Sequence, residues 1–283
     1  MTTRIDRLWP DPLDGLGDDD LLATYAPPLG ASAYRAGADG GRSGGEDAGG
    51  ADPRVSDSAD DSAGDGAWLR LNFVSSLDGA ATREGLSGGL GRGGDKRVFD
   101  LQRRWADVVL VGAGTARAEG YGAMALDDEA VAWRRAQGLA PHPVFALVTG
   151  RLDLDPASPI FAEAPVRPLV YTVASAPAEA RSALSAVAEV VDAGETSVDP
   201  AHVRADLAAR GLLRIHAEGG PSLFGAFLTA GVVDELCLTI APTVEGGSAG
   251  RIAHADAAAP TDMRPASVLL SGDGELLLRH VRA

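Results

Sequence analysis

A chain of 283 residues with 45% apolar side chains can bury a sizeable core, in one large domain or two small ones. Its formal charge of −15, with no basic stripe, excludes nucleic acid and anionic membrane as partners. One cysteine, no secretion signal and no run near the roughly 20 apolar residues of a membrane span exclude a disulfide framework and a cysteine zinc site, and read as cytoplasmic.

Residues 1–35 carry Leu8, Trp9, Leu13, Leu16, Leu21, Leu22 and Tyr25, too few for a domain and too many for a free tail. They are expected to pack on the main body as a short helix or two. Residues 36–66 contain one valine and no other large apolar side chain, so a disordered acidic linker is expected there. Residues 1–66 hold 14 acidic and 5 basic side chains, so −9 of the −15 sits there. The body is 67–283.

From Trp68 the texture changes. "WLRLNFVSSLDG" reads as a strand running into a turn at Asp78-Gly79. "DKRVFDLQRRWA" (95–106) sets Val98, Leu101 and Trp105 at helical spacing among Arg97, Arg103 and Arg104. "DVVLVGAGT" (107–115), "VFALVTG" (144–150), "PLVYTV" (168–173), "RIHAEGG" (214–220) and "ELCLTIAP" (235–242) are short apolar runs that read as strands. Helical stretches fall at 177–188, 199–210 and 221–231. The segment 120–143 reads as a surface excursion, and "ASVLLS" with "ELLLRHV" as a closing hairpin about "GDG". This alternation gives an α/β sheet, mostly parallel, with antiparallel edges.

Two glycine-rich turns, "VGAGTARAEG" (111–120) and "AEGGPSLFGAF" (217–227), follow buried strands and should each open a helix. Glycine there lets a phosphate approach backbone N–H groups at the positive end of the helix dipole, and Pro221 suits a first helical position. Two such turns at the carboxyl ends of parallel strands point to a nucleotide site that includes Gly112. The third glycine of G-x-G-x-x-G is missing, and no acidic residue ends the next strand. Thr149 and Arg151 stand there instead, and an arginine favours a 2′-phosphate, hence NADPH. His216-Ala217-Glu218 matches half of a zinc deaminase signature, but no P-C-x-x-C accompanies it, so no metal is expected. Glu218 itself has two readings, a cleft carboxylate that binds substrate or serves as an acid, and an acidic residue that complements a helix dipole. The other four histidines receive no role.

"NFVSSLDGAAT", "LQRRWADVVLVGAGTARAEGYG" and "EGGPSLFGAFLTAGVVDELCLTIAPTVEGG", in that order, resemble the reductase domain of bacterial riboflavin biosynthesis, the pyrimidine reductase family, from about Trp68 to the C-terminus. The resemblance implies a dihydrofolate-reductase-like fold with helices on both faces of the sheet, NADPH as cofactor, and a homodimer formed through "GVVDELCLTIAP" and the closing hairpin. It implies reduction of the ribosyl group of a deaminated aminopyrimidine phosphate to ribityl. Carried over by position, Gly219, Gly220, Pro221, Ser222 and Leu223 form the cofactor cradle, with Thr115 and Glu119 also on NADPH. Glu218 faces substrate as the candidate catalytic residue. Ser87 and Arg103 fall at substrate positions, with Arg103 meeting a phosphate or carboxylate.

The chain departs from the family pattern in three places. A short leader and linker stand where many members carry a zinc deaminase domain, so deamination is expected elsewhere. Asn72 replaces a lysine, and a second substrate arginine is missing where the chain reads "GYGAMALDDEA". The loss leaves open a reductase of a pteridine such as dihydrofolate, and the acidic leader leaves open a second alternative, a non-catalytic NADPH-binding interaction module whose leader engages a partner.

Overall fold

A computed structural model describes residues 2–28 and 65–283. The expected linker, 36–66, lies outside the described residues except for Asp65 and Gly66. In chain order the elements are β1 (Ile5–Trp9), α1 (Asp18–Thr24), β2 (Trp68–Ser75), α2 (Gly93–Trp105), β3 (Val108–Gly112), α3 (Ala113–Ala118) and α4 (Asp128–Ala136). There follow β4 (Val144–Val148), α5 (Pro159–Ala162), β5 (Leu169–Thr172), α6 (Ala178–Ser185), β6 (Glu189–Asp192), α7 (Pro200–Ala209), β7 (Arg214–Gly219) and α8 (Pro221–Thr229). Then come β8 (Glu235–Ile240), β9 (Met263–Ser271) and β10 (Leu276–Arg282).

The strands form one sheet in the order β1-β9-β10-β8-β2-β7-β3-β4-β5-β6. From β8 to β6 every neighbour is parallel, and β10, β9 and β1 continue it antiparallel. This is the mostly parallel sheet with an antiparallel C-terminal edge that the alternation predicts. Period-two alternation splits β3 between two cores. Val108 and Leu110 pack with Val203 and Leu207 of α7 and Phe224 and Phe227 of α8. Val109 and Val111 face the other way, onto Ala116 of α3, Ile160 of α5 and Leu184 of α6. A third core gathers Val98 and Leu101 of α2 with Cys237, Leu269, Leu277 and the leader.

The leader supplies more than the expected helix. Ile5–Trp9 forms a strand along β9, covering a ladder that would otherwise be an open edge. Leu21, Leu22 and Tyr25 are buried beneath it. Buried Glu235 anchors this end of the molecule. It takes Arg70 Nε at 2.8 Å, Arg279 Nε at 2.7 Å and Trp68 Nε1 at 2.6 Å. The two guanidinium groups then donate to the carbonyls of Tyr25 and Thr24 at the end of α1. Cations at a helix C-terminus satisfy its orphan acceptors and oppose its dipole.

Helix α2 is fixed at both ends. Glu275, fully buried in the β9–β10 turn, accepts the N–H of Arg92 at 2.6 Å and of Asp95 at 3.0 Å. Arg134, on α4, donates to the carbonyls of Arg104 at 2.9 Å and Ala106 at 2.6 Å. The segment 120–143 is therefore no mere excursion. It carries α4, whose Arg134 is 0% exposed and whose Trp133 packs edge-on against Trp105.

Burial alone would raise the Glu235 pKa, but Arg70 and Arg279 outweigh it and hold it at about 2. Its stabilising contribution is present above the ordinary carboxylate range and is lost as pH falls through about 2. Glu235→Ala leaves both arginines buried and unpaired and should cost about 3–5 kcal/mol. Urea unfolding checks this, and an unchanged midpoint would contradict it.

Candidate active site

Inserting β7 between β2 and β3 brings three parallel carboxyl ends side by side, and a cleft of about 780 Å³ opens there. One wall is α2, which presents Asp95, Phe99 and Arg103 at i, i+4 and i+8. The floor is Asn72, Phe73 and Val74 of β2 with Glu218 of β7. The far side is Gly114, Thr115, Gly219, Gly220 and Pro221, and the mouth is covered by the loop containing Ser87 and Gly88.

Glu218 sits on a β-bulge. Leu110 pairs with Ala217 and Val111 with Gly219, so Glu218 has no partner of its own on β3. Its carboxylate takes a bidentate pair from Arg103, Nε to Oε1 at 2.5 Å and Nη2 to Oε2 at 2.7 Å. Tyr121 donates to Oε2 at 3.1 Å. The Arg103 guanidinium also lies 4.4 Å from the Phe99 ring centroid. Burial pushes the Glu218 pKa up, but the charge and hydrogen bonds of Arg103 prevail and hold it at about 2. The Arg103 pair thus keeps Glu218 ionised, so that it presents itself as a hydrogen-bond acceptor. Arg103 in turn is not a free anion receptor, because its charge is already balanced. Burial keeps the Tyr121 phenol protonated, reinforced by the neighbouring Glu218 charge. His216 Nε2 stands 3.4 Å from Glu218 Oε1, without the alignment of a hydrogen bond. Burial lowers the His216 pKa and favours the neutral ring.

The two glycine turns meet. Gly219 and Gly220 have φ of +150° and +105°, conformations that L side chains resist. A Cβ on Gly112 would lie 3.5 Å from the Gly219 carbonyl oxygen. No side chain caps α3 or α8, so the first N–H groups of α8, at Ser222 and Leu223, remain available to a ligand. A Cβ on Gly114 would meet nothing within 4 Å. An uncapped helix start and open glycine backbone in a cleft wall fit a dinucleotide's phosphates.

Of the sequence candidates, Ser87, Arg103, Thr115, Glu119, Glu218, Gly219, Gly220 and Pro221 line the cleft. Gly112, Thr149, Ser222 and Leu223 do not. Thr149 Oγ1 accepts the N–H groups of Arg151 and Leu152, which shapes the turn after β4. Glu119 is occupied by the mouth loop, taking the Ser87 N–H at 2.6 Å. Asp78 is a turn residue: it accepts from Ser76 Oγ and from the N–H groups of Glu245 and Gly246. Asp95, Phe99 and Tyr121 went unnoticed in the sequence. The four-residue spacing from Arg103 could have revealed the first two, whereas nothing in "GYG" marks Tyr121. Where the second arginine is missing, Tyr121 and Met124 form the wall. Among the described residues no cluster of histidine, cysteine or carboxylate side chains could hold a metal. No described helix is long and apolar enough to cross a membrane.

A profile of the RibD C-terminal domain family matches residues 67–277. The chain is 33% identical over 186 residues to a 2,5-diamino-6-ribosylamino-4(3H)-pyrimidinone 5′-phosphate reductase of Methanothermobacter thermautotrophicus, covering 65% of this chain and 82% of that protein. A protein of the same name from Archaeoglobus fulgidus is 28% identical over 181 residues, covering 64% and 82%. Among solved structures, a pyrimidine reductase-like protein of Corynebacterium diphtheriae superposes with a TM-score of 0.71 at 31% identity, covering 77% of this chain and 92% of that one. The chain belongs to the RibD C-terminal domain family, the pyrimidine reductases of riboflavin biosynthesis, and is an oxidoreductase.

Proposed function

We propose that this chain is an NADPH-dependent reductase that converts the ribosyl group of a ribosylaminopyrimidine 5′-phosphate to ribityl. The observation that carries the reading is the single cleft in which the uncapped start of α8 and the Gly114–Thr115 backbone face the polar side of α2. Gly114, Thr115, Gly219, Gly220 and Pro221, with the N–H groups of Ser222 and Leu223, would hold the cofactor phosphates. Gly112 and Thr149 shape that cradle from behind. Arg151, exposed after β4, would meet the 2′-phosphate.

When bound, the cofactor supplies the hydride equivalent that the ribosyl carbon accepts. The chain supplies position and exclusion of water. Glu218 fixes Arg103 and Tyr121, whose outer edges shape the substrate side, and Glu119 holds Ser87 over the mouth. Glu218 is thus a positioning residue in this reading.

We also propose a homodimer. Leu238, Ile240, Val268, Leu270, Leu276 and Leu278 share the sheet face opposite the leader, are half-buried, and belong to no core of the described chain. A contiguous apolar face of this kind fits a subunit interface.

Gly114→Asp introduces an anion into open space in the phosphate seat without a clash. Nicotinamide fluorescence should show at least a tenfold loss of NADPH affinity in a folded protein; unchanged affinity would overturn the cradle. Leu278→Asp should convert the dimer to monomer in sedimentation velocity, and a wild type that already sediments as a monomer would overturn the interface.

A further inference from the structure

The cleft contains a carboxylate that none of the roles above uses. Asp95 opens α2 and lines the cleft two turns before Arg103, about 12 Å along the helix axis. It is half-buried, and the most deeply buried carboxylates are compensated, as is half-buried Asp234. Glu218 has Arg103, Glu235 has Arg70 and Arg279, and Asp234 has Arg204. Glu275 is satisfied by the N–H groups of Arg92 and Asp95. Asp95 has no ion pair among the described residues. Its one side-chain donor is the Thr239 hydroxyl of β8.

The site is built around that carboxylate. The loop before α2 passes close to that carboxylate, and a Cβ on Gly91 would overlap Asp95 Oδ2 and push the carboxylate aside. Val74 and Phe99 give the same cleft apolar lining. Such a wall strengthens whatever polar contact is made inside it. Burial, together with the charges of Glu275 and Asp100, raises the Asp95 pKa to about 6 against the opposing Thr239 bond. A ligand that brings two donors would remove this penalty.

Resting on the reductase reading above, we infer that Asp95 determines substrate specificity by accepting the ring N–H and exocyclic amine of a 2-amino-4-oxopyrimidine, so that the enzyme takes the 2-amino substrate and discriminates against its 2-oxo, deaminated counterpart. The chemistry is one of matched edges. A 4(3H)-pyrimidinone with a 2-amino group presents N3–H and N2–H side by side, which a carboxylate accepts in two parallel hydrogen bonds. A uracil edge keeps N3–H but replaces the amine with a carbonyl oxygen. That oxygen would face Asp95 with no proton between them and leave two acceptors unsatisfied in an enclosed site. The deaminated substrate that the family resemblance implies is therefore disfavoured here. Sites built around a substrate N–H reject analogues lacking it by large factors, so a preference of roughly a hundredfold or more is expected.

The groups facing Asp95 define its pH behaviour. Glu275 comes from the β9–β10 turn, Thr239 from β8, and Arg92, Lys96 and Asp100 from α2 and its approach. As pH falls through about 6 the carboxyl gains a proton, one acceptor becomes a donor, and the preference for the 2-amino compound should shrink.

The test measures equilibrium binding and NADPH oxidation with 2,5-diamino-6-ribosylamino-4(3H)-pyrimidinone 5′-phosphate and with 5-amino-6-(5-phosphoribosylamino)uracil, for the full-length wild type and Asp95→Asn. The wild type should prefer the diamino compound by roughly a hundredfold. Asp95→Asn, whose amide can donate to the 2-oxo group, should reduce that ratio to within about tenfold of unity, chiefly through KM. Equal use of both compounds by the wild type, or a ratio unchanged in a folded Asp95→Asn, overturns the inference and leaves the reductase reading standing. Failure of both compounds to bind the wild type overturns the two together.

Discussion

The pair between Arg103 and Glu218 organises the active-site end of this molecule. It joins the last turn of α2 to the bulge that ends β7, two elements 115 residues apart in the chain. One side of that junction opens onto the glycine turn that starts α8, the other onto the polar face of α2. Buried ion pairs are poor sources of net stability, because desolvation offsets most of the attraction. Their clearest contribution is to a unique arrangement. Here the bidentate geometry sets how far α2 stands from the glycine turn, and hence the width of the cleft.

Helix α2 can serve as a ruler because its ends cannot drift. A carboxylate from the C-terminal hairpin satisfies its first N–H groups, and a fully buried arginine from α4 satisfies its last carbonyls. Both charges oppose the helix dipole. The leader packs on the outer side of the same helix, through Arg97 to Asp18 and Trp105 to the Leu22 carbonyl. Segments outside the active site thus set the positions of Asp95, Phe99 and Arg103 within it.

Much of the frame could be read from local pattern. The alternating strands, the paired glycine turns and the terminal hairpin each follow from a short-range rule, and the sheet assembled from them has the expected class. What escaped was non-local. Arg103 and Glu218 were each visible, but not that each would neutralise the other, since pairing across 115 residues leaves no trace in spacing. The segment 120–143 reads as a surface excursion because the carbonyls that Arg134 caps belong to another helix and its turn. The strand at Ile5–Trp9 exists only because β9 offers a free ladder. Asp95 carries no local mark in the sequence, and its place in the cleft wall follows from how α2 is docked.

The central claim is hydride transfer to the ribosyl carbon within this cleft. The most direct measurement supplies NADPH deuterated at the transferable C4 position, together with the diamino ribosylaminopyrimidine phosphate, and reads the product by mass spectrometry and NMR. The account predicts one deuterium per turnover, placed at C1′ of a ribityl chain. Tight NADPH binding with no oxidation, or label appearing anywhere else in the product, would contradict it.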